Sequence, residues 1–429
     1  FTRHLEKHGR EAAWRLGAQV LNALLIVTTV LVVLGIVLAE PLVEYYAPGF
    51  RDQPDKLALT VLLTQVNMPF LTLIAVAAAM MGMLNGLRKF LVPAMSPALY
   101  NVFFIAATAV LTPIFIRQGI EPALALSIGM LTGGLAQILV QVPTLWREGY
   151  RHQWLFSPKD TGVREILMLM GPGTIGVAAA QGNLMVNTML ATSQDGAVSG
   201  LQYAFRLMYM PIGIFGVSVA TAAIPELSRR VADNDIDGMR SALSWGIRLM
   251  LMLSVPATLG LMVLSGPIVE LIYERKAFDA DSTLLVAAAL LFYAPGIIGY
   301  SVVKIASPCF YAMRDARTPI TVSLITIAVN LVLNLVLNAW MGFTGLALGT
   351  AIAANVNALL LLVLLSRRIG GVDARRILLA SGKILLASAV MAAASWGLEA
   401  WLSQVWPGTG LGLRTVRVGV SIAASIGVL

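Results

Sequence analysis

Between Thr318 and Ser366 the chain runs without a single charged side chain. That stretch is too long for one crossing of a ~30 Å hydrocarbon core, which takes about 20 helical residues. Gly342-Phe343 near its middle gives the natural break, so the run reads as two membrane helices joined by a tight turn. Similar runs fill the rest of the sequence: Ala18–Ala39, Leu57–Leu87, Phe90–Ile116, Pro122–Trp146, Ile166–Gln194, Ser199–Glu226, Leu249–Val269, Leu284–Met313, Ile377–Leu402 and Leu411–Leu429. Twelve spans result. Only 12% of the 429 residues are charged and 58% are hydrophobic, against about a quarter charged in soluble domains. The fold class expected is therefore all-α, a polytopic membrane protein.

Lysine and arginine alternate from loop to loop. One set of loops holds Arg3, Lys7, Arg10 and Arg15, then Arg88 and Lys89, then Arg147 and Arg151, then Arg229 and Arg230, then Arg314 and Arg317, then Arg367 and Arg368. The alternate loops hold only Arg51, Lys56, Arg117, Arg275 and Lys276. The positive-inside bias puts the first set, and residue 1, on the cytoplasmic side. The same placement explains the net charge of +8 without a nucleic-acid partner. The single cysteine, Cys309, excludes an internal disulfide, and His4, His8 and His152 lie in polar connections. No Walker loop, HExxH or Ser-His-Asp set is present, so neither an enzyme nor a resident cofactor or metal is expected; GPGTIG at 171–176 lies in a span and follows no strand.

Landmarks recur at one spacing. Pro41 and Pro267, Glu44 and Glu270, Asp55 and Asp281, Pro69 and Pro295, Arg88 and Arg314, and Pro93 and Pro319 are each 226 residues apart. Farther on the offset slips to 220, at Gly129 and Gly349 and at Arg147 and Arg367. A series at constant spacing indicates duplication, as in transporters built from two repeats. The expected divisions are an N-lobe over 1–147, a cytoplasmic linker over 148–165, a C-lobe over 166–371 and two additional helices over 372–429. The repeat maps the beginning of the C-lobe to about sixty residues ahead of Phe1, so the expectation is a fourteen-span protein whose first two helices precede this sequence.

One charge interrupts the apolar run 199–226: Arg206. A guanidinium stays protonated, and burying it in hydrocarbon costs at least ~2.5–3.5 kcal/mol. Either it faces an aqueous cavity and meets an anion there, or it snorkels to the nearer headgroups; position alone leaves both open. Tyr203 shares its face. Gln181, Asn183 and Asn187 lie in one span, and Asn330, Asn334 and Asn338 form an i, i+4, i+8 stripe. Amides in a membrane either line water or bond neighbouring helices, with Asn187 favoured for the cavity and Asn183 and the 330–338 stripe for packing. Lys304 lies about three turns from Arg314, as a snorkelling residue or as a gate or headgroup contact. Pro69, Pro211, Pro256 and Pro295 are expected to break helices within the membrane.

The motifs MGPGTIGVAAAQGNLMVNTMLA (170–191), LQYAFRLMYMPIGIFGVSVATAAIPELSR (201–229) and VVKIASPCFYAMRDARTP (302–319) resemble those of the MurJ (MviN) lipid II flippases, within the superfamily that includes MATE drug exporters and polysaccharide flippases. YAPGFRD (46–52) and MLNGLRKFLVPAMSPALYN (83–101) agree. The resemblance implies fourteen helices in two pseudo-symmetric lobes plus a C-terminal pair. It also implies movement of lipid II, an undecaprenyl-diphosphate-linked muropeptide of peptidoglycan synthesis, from the inner to the outer leaflet by alternating access. It places Arg206 and Ser199 at cavity positions. Phe205 stands where many relatives carry an acid, and Asn187 and Asn330 are neutral where a sodium site of some relatives uses carboxylates. The C-terminal pair is similar to helices that form a groove for the lipid tail. The rival reading, a cation-coupled exporter of the same fold, calls for a carboxylate inside the membrane, and the expectation is that the spans carry none.

Overall fold

A computed structural model describes residues 1–155, 181–216, 218–219, 225, 229–230, 233, 235–408 and 410–428. The glycine-rich stretch 171–176, most of the expected linker and the first half of the expected span 166–194 lie outside the described residues. The chain divides into two compact units, Phe1–Val177 and Ala178–Leu429.

In the first unit, α1 (Thr2–Val37) is followed by the short α2 (Ala39–Tyr46), then α3 (Pro54–Asn67), α4 (Phe70–Gly86), α5 (Leu91–Gln118) and α6 (Ala123–Arg147). Prolines stand at the start of α3, α4 and α6 and inside α5 and α6, and Gly119, with φ of 68°, ends α5 in the left-handed conformation that glycine adopts at least cost. The α5–α6 hairpin packs closely: a Cβ added at Gly129 would lie 3.0 Å from the carbonyl oxygen of Phe104. A core of Ala18, Leu21, Val76, Met83, Leu84, Leu145 and Tyr150 joins α1, α4 and α6.

In the second unit, α7 is described over 181–191 and α8 over Ala197–Pro211. A π turn, Ile212–Gly216, follows Pro211. Then come α9 (Ile236–Val263), α10 (Ser265–Tyr273), α11 (Ala280–Tyr293), α12 (Gly296–Ala312), α13 (Arg317–Met341), α14 (Phe343–Ile369), α15 (Ala374–Val405) and α16 (Leu411–Val428). Asp235 and Asp279 cap α9 and α11, accepting from Gly238 N at 2.8 Å and Ser282 N at 2.9 Å. The uncharged run 318–366 divides at Gly342, φ 63°, as its sequence predicts. At Pro295 the pair α11 and α12 bends by 47°. Pro256 is different: α9 runs through it unbroken. Proline is tolerated inside membrane helices when neighbouring groups satisfy the freed carbonyl.

The duplicated landmarks are duplicated structure. Pro54–Asn67 and Ala280–Tyr293, and Phe70–Gly86 and Gly296–Ala312, agree at both ends at the 226-residue offset. Arg88 and Arg314 both take positive φ, 60° and 58°, in the turns after α4 and α12. In both turns the next N–H reaches back to the helix, Lys89 N to Leu84 O and Asp315 N to Phe310 O, each at 2.9 Å.

Among the described residues, eight helices are long and apolar enough to cross a membrane, or nine if α11 and α12 form one bent span. The described residues include no strand. The chain is an all-α, multi-pass membrane protein.

Candidate functional site

Helix α8 has two faces. Ala197, Gly200, Leu201, Ala204, Leu207 and Met208 are buried, spaced at the helical period, in a cluster with Val286, Ala289, Leu290 and Tyr293 of α11. Gly200 leaves the space that the end of the Leu285 side chain fills, so a Cβ there would displace that side chain. The opposite stripe of Ser199, Gln202, Arg206, Tyr209 and Met210 is exposed on this unit. Arg206 therefore stands on the side of α8 that its own unit leaves uncovered. It lies nine residues into the helix, about 14 Å from its first turn. No hydrogen bond or ion pair engages its guanidinium among the described residues.

Aromatic rings flank this arginine. The Tyr203 ring lies 4.9 Å from Tyr273 and 5.8 Å, edge-on, from Phe278. Phe205 stacks on Tyr209 at 5.7 Å and meets Tyr293 at 5.7 Å and Tyr300 at 6.4 Å. With Phe205 held among tyrosines, the neighbouring position supplies no counter-charge to Arg206. A planar guanidinium without a carboxylate keeps its five donors for an incoming acceptor, and its fork matches two phosphate oxygens.

The amides behave differently. Asn187, half-buried on α7, accepts a hydrogen bond from Asn334 Nδ2 of α13. Asn334 is fully buried and donates to Asn330 Oδ1 at 3.1 Å, while Asn330 Nδ2 points back at 3.4 Å. The three side chains form a neutral network that ties α7 to α13, and Gly349 leaves the space that Asn334 fills. Asn183 is half-buried, and its Oδ1 has no partner among the described residues. Gln181 and Ser199 are exposed. Lys304, half-buried on α12, lays its stem beside the π turn, its Cγ 3.7 Å from where a Cβ on Gly216 would stand. Thus the structure joins Asn187 to Asn334 and Asn330, and Tyr203 to Tyr273 and Phe278. It leaves Arg206, Ser199 and Gln181 facing outward.

The expectation that the spans hold no carboxylate is wrong. Glu399 lies within α15, 7% exposed, and receives Arg417 Nη2 of α16 at 3.1 Å and Ser421 Oγ at 3.1 Å. Beside it, Arg414 reaches Glu270 at 2.9 Å and Glu274 at 3.0 Å on α10 and the residue after it. Charges inside apolar runs were the available signal. Pairing explains how they are tolerated there. No group of three or more metal-ligating side chains occurs among the described residues.

Three comparisons bear on this arrangement. The family model for lipid II flippase MurJ matches residues 1–413. Probable lipid II flippase MurJ of Rhizobium meliloti is 33% identical over 415 residues, 94% of this chain and 75% of the relative. That of Vibrio cholerae is 32% identical over 87% of this chain and 71% of its own length. The solved structure of lipid II flippase MurJ in an inward closed conformation superposes with a TM-score of 0.79 at 24% identity, covering 99% of this chain and 85% of that one. An inward-facing MATE family multidrug resistance transporter of the MOP superfamily gives 0.69 at 16% identity, over 86% and 84% of the two chains.

Proposed function

The chain belongs to the lipid II flippase MurJ family, and we propose that it carries lipid II from the inner to the outer leaflet of the bacterial cytoplasmic membrane by alternating access. It is a transporter and not an enzyme. On this reading the chain has twelve spans with residue 1 in the cytoplasm, an N-lobe over 1–147, a linker over 148–165, a C-lobe over 166–371 and a C-terminal pair over 372–429.

Arg206 is the diphosphate ligand. The observation that supports this role is an exposed guanidinium on an otherwise uncharged helix, with no acid to neutralise it among the described residues. A doubly charged diphosphate needs more than one cation, so Arg206 acts with others. Ser199 and Gln181 contribute polar contacts, Tyr203 offers a ring edge to sugar, and Asn187 lines the same path while bonded to Asn334. Lys304 attracts the anionic headgroup at the cytoplasmic gate. The driving force is an ion gradient, the membrane potential or consumption of the product. A potential acts on cavity charge at ~2.3 kcal/mol per charge per 100 mV. The rival cation-coupled exporter would need a free membrane carboxylate, whereas Glu399 is held by Arg417 and Ser421.

The test is growth. In a strain depleted of its own flippase, the gene encoding this chain with Arg206→Ala fails to restore growth although the protein reaches the membrane. Normal growth would remove Arg206 from the mechanism.

A further inference from the structure

Where α9 turns into α10, a groove of about 280 Å³ is lined by Leu264 and Pro267, by Trp396, Glu399, Ala400 and Ser403 of α15, and by Arg417 of α16. It is much larger than a trapped water, whose share of liquid volume is about 30 Å³. The equivalent corner of the first unit is uncovered among the described residues: Val37 and Leu38 are 71% and 45% exposed, against 2% for Leu264. The groove is thus a product of the C-terminal helix pair.

Its depth is marked twice. Glu399 lies six residues before the end of α15 and Arg417 six residues after the start of α16. Each is therefore about 9 Å from the connecting turn. Trp396, Trp401 and Trp406 are exposed around them, as in the aromatic belt at a membrane interface. Glu399 and Arg417 are 10% and 12% exposed at the side chain. Apart from them and the Ser403 hydroxyl, the walls are apolar. Arg417 spends one donor on Glu399, and its Nε has no partner among the described residues.

We propose that this groove binds the headgroup of a phospholipid with a primary amine, such as phosphatidylethanolamine, in the leaflet at the α15–α16 turn. The charges fit as a pair. Arg417 takes the phosphate with its remaining N–H donors, and Glu399 accepts from the ammonium. A choline headgroup has no N–H to give Glu399. A glycerol headgroup leaves a net anion beside that carboxylate. The acyl chains lie along the exposed apolar surfaces of α15 and α16. This site is independent of Arg206 and of the transported substrate.

Native mass spectrometry of the purified chain against equal concentrations of palmitoyl-oleoyl phosphatidylethanolamine, phosphatidylcholine and phosphatidylglycerol tests it. We expect one phosphatidylethanolamine retained per chain, favoured about ten-fold, the worth of one charge-assisted hydrogen bond. Glu399→Gln abolishes the preference over phosphatidylcholine. Ala400→Leu in the wall, and Ser403→Leu at the more exposed rim, fill the groove and lose the lipid without lowering the unfolding temperature. Equal retention of the three lipids by the unaltered chain, or undiminished retention in both filling variants, would overturn the site. Displacement by soluble phosphoethanolamine at the lipid's concentration would overturn a lipid as its occupant.

Discussion

Arg206 and Asn334 are both polar residues in apolar helices, and their surroundings separate them. Arg206 has an uncovered face and no acid paired with it among the described residues, so its charge is available. Asn334 is sealed, and both neighbours that bond it are amides. Membrane hydrogen bonds of this kind average ~0.6 kcal/mol and reach ~1.7. Asn334→Ala should therefore lower stability by roughly that amount in a detergent or bicelle unfolding titration. In a double-mutant cycle with Asn187→Ala the losses should be non-additive; strictly additive losses would show that the bond contributes nothing. The sequence presents the Asn330–Asn334–Asn338 stripe at helical spacing, and packing is the role it suggests. Which amide across the interface it bonds is not legible, because spacing along one helix carries no information about the register of another. Arg206 stands out in the sequence for the opposite reason: it is one charge in a long apolar run.

At the scale of elements, the turns after α4 and α12 have the same backbone but opposite charge. In the first unit Lys89 pairs with Glu148 at 2.9 Å, and Arg10 adds a second bond to Glu148 at 2.6 Å. In the second unit the equivalent positions are Asp315 and Arg368, which also pair. The hydrogen bond from Lys89 is the largest influence holding the Glu148 carboxyl below its usual value of 4.5, with the charges of Lys89 and Arg10 acting in the same direction. Thr318, more than Arg368, does the same for Asp315. A carboxyl held low in the folded state stabilises the fold above its ordinary pKa and loses that contribution as pH falls through the lowered one. The unfolding temperature of the purified protein should thus decline as pH drops below about 4.5, and Glu148→Gln should flatten part of that decline. An unchanged pH profile in the variant would contradict this. The division at Gly342 and the bend at Pro295 were readable because glycine and proline act locally, whereas the expected span Leu249–Val269 runs across the break between α9 and α10, which falls at Leu264 and not at a glycine or proline. Pro256 misled because proline removes a bond but does not dictate whether neighbours replace it. Glu399 was passed over because its tolerance depends on Arg417, eighteen residues away on another helix.

For the whole molecule, the strongest inference from sequence was duplication, since an offset of 226 residues fixes matching helix ends and left-handed turns without any knowledge of packing. Family membership, supported over residues 1–413, then supplies the substrate that charge and hydropathy alone leave unnamed. The mechanism proposed from the residues is that a fixed positive charge on α8, Arg206, meets a diphosphate. The decisive measurement is the amount of lipid II accessible at the outer leaflet of cells depleted of their own flippase and supplied with the gene for this protein. Accessible lipid II should return with the unaltered gene and stay absent with Arg206→Ala at equal membrane abundance. Failure of the unaltered gene to restore it, or full restoration by the variant, would contradict lipid II transport through Arg206.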